Sequence, residues 1–441
     1  MEEKPRVIIS HTRKKEPGNN FFSLSPRQII PGGLFDFRKN AWEVYSQISV
    51  PNTSDEAWRR SDIRTLPVSS LQLPVINNYG TESKLPAKLK NTQPSINTGG
   101  RVLVTEYCAS AFLSPEIQKK GVLFTDLRSA EKDQIDSIHQ IAGRIVPPDE
   151  GKFAALTAAF ARNGILLYVP RGVKVKSSLN GILWGTDPSL MHISHIMVWL
   201  EEDSSASFVL ESASQNHQHV GMHASNIEIL VGEGASLQFI DLQTLSQNTW
   251  NFTHSRARVL QNGSIDWIYG AVGSKFSKSF INLDLAGIGA RGRISGFYFT
   301  DGIQHLDLDT QQDHRAANTS SDLLFKGALK DKSRTVWQGM IYVAPEAQKT
   351  DGYQANRNLM LSDGARADSI PGLEILADDV RCSHGATVSK LEDEPRFYLE
   401  SRGIPKAESE KLLVVGFFKP IVDRIPQPGI QRRFTQIIQK K

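Results

Sequence analysis

Cysteine is scarce in this sequence, with 2 among 441 residues. Two thiols cannot build a disulfide scaffold, a structural zinc ribbon, or an iron–sulfur cluster held by four thiolates of one chain. Long apolar runs are also missing. No window approaches the ~18 consecutive apolar residues of a membrane span. Nor does one sign of charge dominate: Lys+Arg 51 against Asp+Glu 47 leaves +4. With no dense basic block, nucleic acid is not an expected partner. The opening MEEKPRVIISHTRKK has no apolar core and begins acidic, which fits neither a secretory signal nor a transit peptide. A reducing, cytoplasmic location is the expectation, with the plastid stroma as the alternative for a processed plastid protein.

What is present fits a folded, somewhat polar globular protein: 39% apolar and 22% charged residues. The length allows about three ordinary domains or one long core with appendages. Residues 1–100 read as an irregular, partly helical region, with a helix start at 51–60 capped by Ser54 and a Pro/Asn/Ser/Gly-rich linker from 67 to 100. Residues 101–164 form an α/β lead-in: a strand at 101–106, then helices at 127–145 and 149–163, the second with Phe153, Leu156 and Phe160 on one stripe.

From 165 to 390 the texture changes. Short alternating runs (ILLYV, HIMVWL, SFVLES, NIEILV, SLQFIDL, SIDWIY) follow one another between Gly-centred turns, with no ten-residue amphipathic helix. A β-sandwich or barrel and a parallel β-helix both fit. The length of the run and its loose repeats, returning every twenty to forty residues or so, favour the β-helix. The fold expectation is therefore mainly β, a parallel β-helix (β-solenoid) with helical parts at both ends. Residues 391–441 turn helical again. In a helix at 406–423, Leu413, Phe417 and Ile421 form one stripe, widened by Leu412, Val415, Phe418 and Val422. So much apolar surface needs a second body, either the chain's own solenoid or a partner.

Few residues are candidates for chemistry. Gly270 to Lys275 superficially resembles a phosphate loop, but the spacing is wrong for a Walker A sequence, so nucleotide chemistry is not expected of this chain. His192 and His195 lie in one run. His217, His219 and His223 lie in NHQHVGMH, which resembles a cupin metal pattern but lacks its leading glycine and places its acid wrongly. A metal-dependent enzyme using these three is the rival reading. Gln354, Asn356 and Asn358 have strand spacing and read as a structural amide ladder. Cys108 reads as core.

Cys382 and His384, in DDVRCSHGAT, are two apart and share one face of an extended strand. Thiolate and imidazole suit iron or a nascent cluster. Two ligands cannot complete a coordination sphere, so either the pair is inert or another chain supplies the rest.

The stretch from Thr350 to Gly403 closely resembles the SufB/SufD family of iron–sulfur cluster assembly proteins. DEAWRRSDIR near residue 60 and FAALTAAFARNGILLYVPRGV near residue 160 extend the resemblance over most of the chain. Within the family the SufD branch is the better match, because SufB chains carry a glutamate where His384 stands. The resemblance implies a right-handed parallel β-helix and a heterodimer with SufB. It implies the ATPase SufC docked on the C-terminal helices, where Leu413, Phe417 and Ile421 are the candidate contacts, and sulfur from a cysteine desulfurase system. It implies no turnover by this subunit and no stable cofactor. Iron or a nascent cluster is held only transiently, at His384 and, with weaker resemblance, Cys382. A homodimer is implied when the chain is alone. A purely structural homodimer and a carbohydrate-active β-helix are further readings; the second wants a secreted chain.

Overall fold

A computed structural model describes residues 21–75, 98–185, 189–215 and 218–441. Sixteen strands from Asn163–Val169 to Val380–Lys390 run without an intervening helix among the described residues. They alternate between two sheets. One has ten strands and ends at Val380–Lys390; the other has nine and ends at Arg366–Ile375. Successive strands within each sheet are parallel and in continuous register, for example Trp250 to Val259 against Phe276 to Leu285. The result is a parallel β-solenoid of about eight turns with helical parts at both ends.

The strand period of two explains why the runs alternate. Positions such as Phe239, Trp267, Phe325 and Trp337 point into the lumen and are fully buried there. The intervening positions face outward, and both outer faces are covered. On the nine-stranded sheet Phe153 stacks on Phe252 at 3.7 Å, and Trp58 lies 5.6 Å from Phe153 and 6.3 Å from Phe280. On the ten-stranded sheet lie the C-terminal helices.

Each coil turns from one sheet to the other through a residue in the left-handed region. Gly172, Asp203, Gly234, Asn262, Gly289, Asn318 and Lys349, 27 to 31 residues apart, all have φ between +52° and +73°. The amide of each donates to a carbonyl of the next coil at 2.6 to 3.1 Å. Glycine, asparagine and aspartate tolerate this conformation; lysine does not. Lys349→Gly should therefore raise stability by roughly 1 kcal/mol. The urea midpoint should move up with an unchanged slope, and an unmoved midpoint would refute the strain.

Several expected elements differ. The helix start at 51–60 is a single 3-10 turn, Glu56–Trp58, capped at Asp55 rather than Ser54, because Trp58 turns inward to pack. The expected helix at 127–145 breaks into Leu127–Asp133 and Ile135–His139, with Gln134 out of helical conformation between them. The next helix is Lys152–Phe160, shorter at both ends. The strand expected at 101–106 is Thr98–Val104. Most of the expected linker, 76–97, lies outside the described residues. Among those described, no helix is long and apolar enough to cross a membrane.

Candidate functional site

The first coil of the solenoid is closed by antiparallel strands, Ala109–Leu113 on one sheet and Leu123–Asp126 on the other. The last coil has no such cover among the described residues. Val380–Lys390 pairs only with Thr350–Met360, and Arg366–Ile375 only with Arg334–Val343. Both strands present an unpaired edge.

The lumen itself is laid open here. Leu373 and Ile375 stand opposite Ile341 and Val343, which are fully buried one coil earlier. Yet Leu373 is 36%, Ile375 37%, Leu376 52% and Val388 50% exposed. Leu373, Ile375 and Val388, at columns whose residues are buried in the earlier coils, face outward from the end. Unpaired edges of ten and eleven residues, beside exposed Leu373, Ile375 and Val388, pair readily with another chain.

Cys382 and His384 sit on that coil. In register they oppose Gly352 and Gln354. Gln354 is fully buried in the lumen, so the cysteine and the histidine share the lumen-facing side, as their spacing predicts. His384 is exposed. Cys382 is half-buried against the cluster of Ile341, Val343, Ala344, Ala347 and Ala377. Burial pushes its thiol above the ordinary value, and the nearby Asp351 charge adds to this against a backbone hydrogen bond from Gly352. Cys108 is buried, with its Sγ 3.3 Å from Thr105 Oγ1, as expected of a core thiol.

The C-terminal stripe is divided. Val414, Phe418, Ile421 and Val422 of the helix Lys406–Val422 are buried against Ile268, Phe297 and Phe299 of the ten-stranded sheet. Phe418 lies 5.9 Å from Phe297 and 6.2 Å from Phe299. Ile421, 1% exposed, is therefore a contact with the chain's own solenoid and has no surface left for a partner in this arrangement. Leu413 and Phe417 are half-buried, and the Phe417 carbonyl accepts from Lys326 Nζ at 2.9 Å. The apolar groups facing solvent are instead Phe397, Tyr398 and Leu412. After the helices Asp393–Ser401 and Lys406–Val422 comes a third, Pro428–Lys440, which no sequence signal marked and which buries Phe434 and Ile438 on the same sheet.

Among the described residues, the histidine-rich segment forms no metal site. His219 is exposed, whereas His223 is buried in the lumen with Nδ1 2.7 Å from Asn251 Oδ1. His217 lies outside the described residues. His192, not His219, is the neighbour of His223, with ring centroids 5.5 Å apart. Among the described residues no three His, Cys, Asp or Glu side chains stand together as metal ligands. The amides of Gln354, Asn356 and Asn358 are buried and bonded, though not as a ladder from coil to coil. Asn358 donates to Asn356 at 2.6 Å, Asn356 to the Tyr298 hydroxyl at 3.0 Å, and Gln354 to the Gly372 carbonyl at 2.8 Å.

The fold and this site define a β-solenoid whose final coil is unfinished and bears a cysteine and a histidine. Residues 183–417 match the family model described as SUF system FeS cluster assembly, SufBD core domain. Residues 31–180 match that of the SufBD protein N-terminal region. A Staphylococcus epidermidis protein named as an iron–sulfur cluster assembly SufBD family protein is 28% identical over 95% of this chain and 92% of its own length. The Bacillus subtilis iron–sulfur cluster assembly protein SufB is 29% identical over 71% of this chain and 68% of its own. The chain belongs to the SufBD family of iron–sulfur cluster assembly proteins.

Proposed function

We propose that this chain is the SufD-type, non-enzymatic subunit of a complex with SufB and the ATPase SufC. The nascent iron–sulfur cluster is its cargo, formed at the joint between the two solenoids. The observation that carries this reading is the uncapped last coil. A second family member that adds its own edge strands would extend both sheets and bury Leu373, Ile375, Leu376 and Val388. The same contact would bring a partner's ligands up to His384 and Cys382, which are too few to complete a coordination sphere alone.

The C-terminal helices supply a route for coupling. Phe397, Tyr398 and Leu412 offer apolar surface to an ATPase subunit. The helices are fastened to the outer face of the ten-stranded sheet: Arg424 binds Asp266 and Ser295, and Arg433 binds Glu211 at 2.6 Å. A movement of the helices would thus load the sheet that ends in Val380–Lys390. Such coupling needs two states of different nucleotide affinity.

Reconstitution with SufB, SufC, a cysteine desulfurase system and ferrous iron tests the reading. His384→Ala should leave the complex intact on gel filtration and lower cluster yield at least about tenfold, the loss expected of a metal-site residue. Val388→Asp should abolish co-purification with SufB while the isolated chain keeps its melting temperature. Full cluster yield with His384→Ala would refute the ligand role, and intact pairing with Val388→Asp would refute the joint.

A further inference from the structure

We infer that His314 is a further soft-metal ligand of the open end, facing Cys382 across the gap left by Gly352. The inference rests on the proposed function, in that the metal it concerns is the iron handled at the last coil.

In the ten-stranded sheet Ser321, Gly352 and Cys382 occupy one lumen-facing column, one residue per coil. A side chain at 352 would touch both groups: a Cβ there would lie 3.3 Å from Cys382 Sγ and 3.4 Å from His314 Nε2. Sulfur and imidazole nitrogen therefore look into the same small space. Metal–ligand bonds are about 2.3 Å to sulfur and about 2.1 Å to nitrogen, so an ion held by both needs the sulfur and the nitrogen within about 4.4 Å of each other. Cys382 stands on the terminal coil, where no strand follows to hold it.

Both ring nitrogens of His314 are hydrogen-bonded to hydroxyls. The Thr319 hydroxyl donates to the Ala316 carbonyl at 3.1 Å, and the Thr350 hydroxyl donates to the Ala347 carbonyl at 2.8 Å. With the Thr319 hydroxyl on Ala316, Thr319 Oγ1 accepts from His314 Nδ1–H at 2.7 Å. That leaves Nε2 with the lone pair, which accepts from the Ser321 hydroxyl at 2.8 Å. A ring whose Nδ1–H is tied down and whose Nε2 carries the lone pair is the arrangement of metal-ligating histidines. The ring is fully buried, and burial pushes its pKa down to about 4, so it is neutral near pH 7. On binding, Nε2 would exchange the serine proton for the metal, and Cys382 would release its thiol proton through the open end to bulk water.

The alternative is that His314 only links hydroxyls. Anaerobic titration of the full chain with Co(II), followed by thiolate-to-cobalt charge-transfer absorption, separates the two. Wild type should show the band, Cys382→Ser should abolish it, and His314→Gln should weaken affinity at least about tenfold. Gly352→Ala, which fills the gap and alters neither ligand, should weaken it as well and guards against misfolding of the histidine variant. No thiolate band in wild type, or wild-type affinity in both other variants, would overturn the inference. Loss of cluster yield with His384→Ala beside unchanged cobalt affinity in His314→Gln would sink this inference and leave the proposed function standing. The expected cobalt pattern with full yield from His384→Ala would do the reverse.

Discussion

Replacement of Lys278 by methionine should cost about 3–5 kcal/mol, as removal of one member of a buried ion pair generally does. The Lys278 side chain is fully buried on the outer face of the nine-stranded sheet. Its Nζ lies 3.0 Å from Asp307 and 2.7 Å from Asp309. It also donates to the Ala57 carbonyl, while the Ser61 hydroxyl donates to Asp307. The cluster thus fastens the N-terminal segment to a sheet more than two hundred residues away in sequence. Without the ammonium, two carboxylates share a desolvated site with no counter-ion. Burial already raises Asp309 from 3.8 to about 6, against the opposing pull of Lys278. In the variant Asp309 should titrate higher still. A carboxyl whose folded pKa is raised contributes most below its unfolded pKa and loses that contribution as pH rises through the folded value. The deficit of Lys278→Met should therefore be largest above pH 7 and shrink toward pH 5. Urea unfolding at the two pH values measures it. The triple variant that also carries Asp307→Asn and Asp309→Asn should recover most of the loss. A pH-independent loss below ~1 kcal/mol would mean that the charges are not compensating one another as described.

This anchoring cluster shows what the residue order conceals. The strands of the solenoid are legible because the lumen accepts apolar side chains at every second position, and the runs from ILLYV onward carry that alternation. The coil repeat is harder to see. Its marker is a left-handed residue every 27 to 31 positions, filled in turn by Gly, Asp, Asn and finally Lys349, so no single letter recurs. The split of the helix expected at 127–145 depends on packing, since Gly143 is pressed against Phe37 and Gln134 leaves helical conformation. The surplus apolar face at 406–423 was visible, but its partner was not. Only the outward pair Phe297 and Phe299 shows that Phe418 and Ile421 turn onto the chain's own sheet.

The candidate site divides in the same way. That Cys382 and His384 share a face follows from a spacing of two. That this face is the lumen, and that the lumen is open at this coil, follows only from sheet order, because nothing local in DDVRCSHGAT says that no strand pairs beyond it. His314 gave no signal, since its relation to Cys382 runs through Gly352 and through coils far apart in sequence. The C-terminal third helix escaped for another reason: its stripe of Ile430, Phe434, Ile437 and Ile438 is short and interrupted by arginines and glutamines.

Asp241→Asn should stabilise the chain, and increasingly so as pH rises. Asp241 faces the lumen in register with Tyr269. It is 7% exposed, and none of the ion pairs seen among the described residues includes it. Burial raises its pKa from 3.8 to about 7. The phenol of Tyr269 is raised too, first by burial and then by the Asp241 charge, while a hydrogen bond with Ser279 opposes. Well below pH 3.8 the carboxyl is neutral in both folded and unfolded chains and costs nothing extra. Between 3.8 and about 7 the unfolded chain gives up its proton and the folded chain holds it, so stability falls as pH rises. The full difference corresponds to about 4 kcal/mol at and above pH 7.5, an upper figure for a lumen that can relax around the charge. An amide of the same shape carries no such term. The difference in unfolding free energy between Asp241→Asn and wild type should be near zero well below pH 3.8 and reach a plateau of about 2–4 kcal/mol by pH 8. A variant less stable than wild type at pH 8 would mean that the lumen compensates the Asp241 charge, and would overturn the raised pKa.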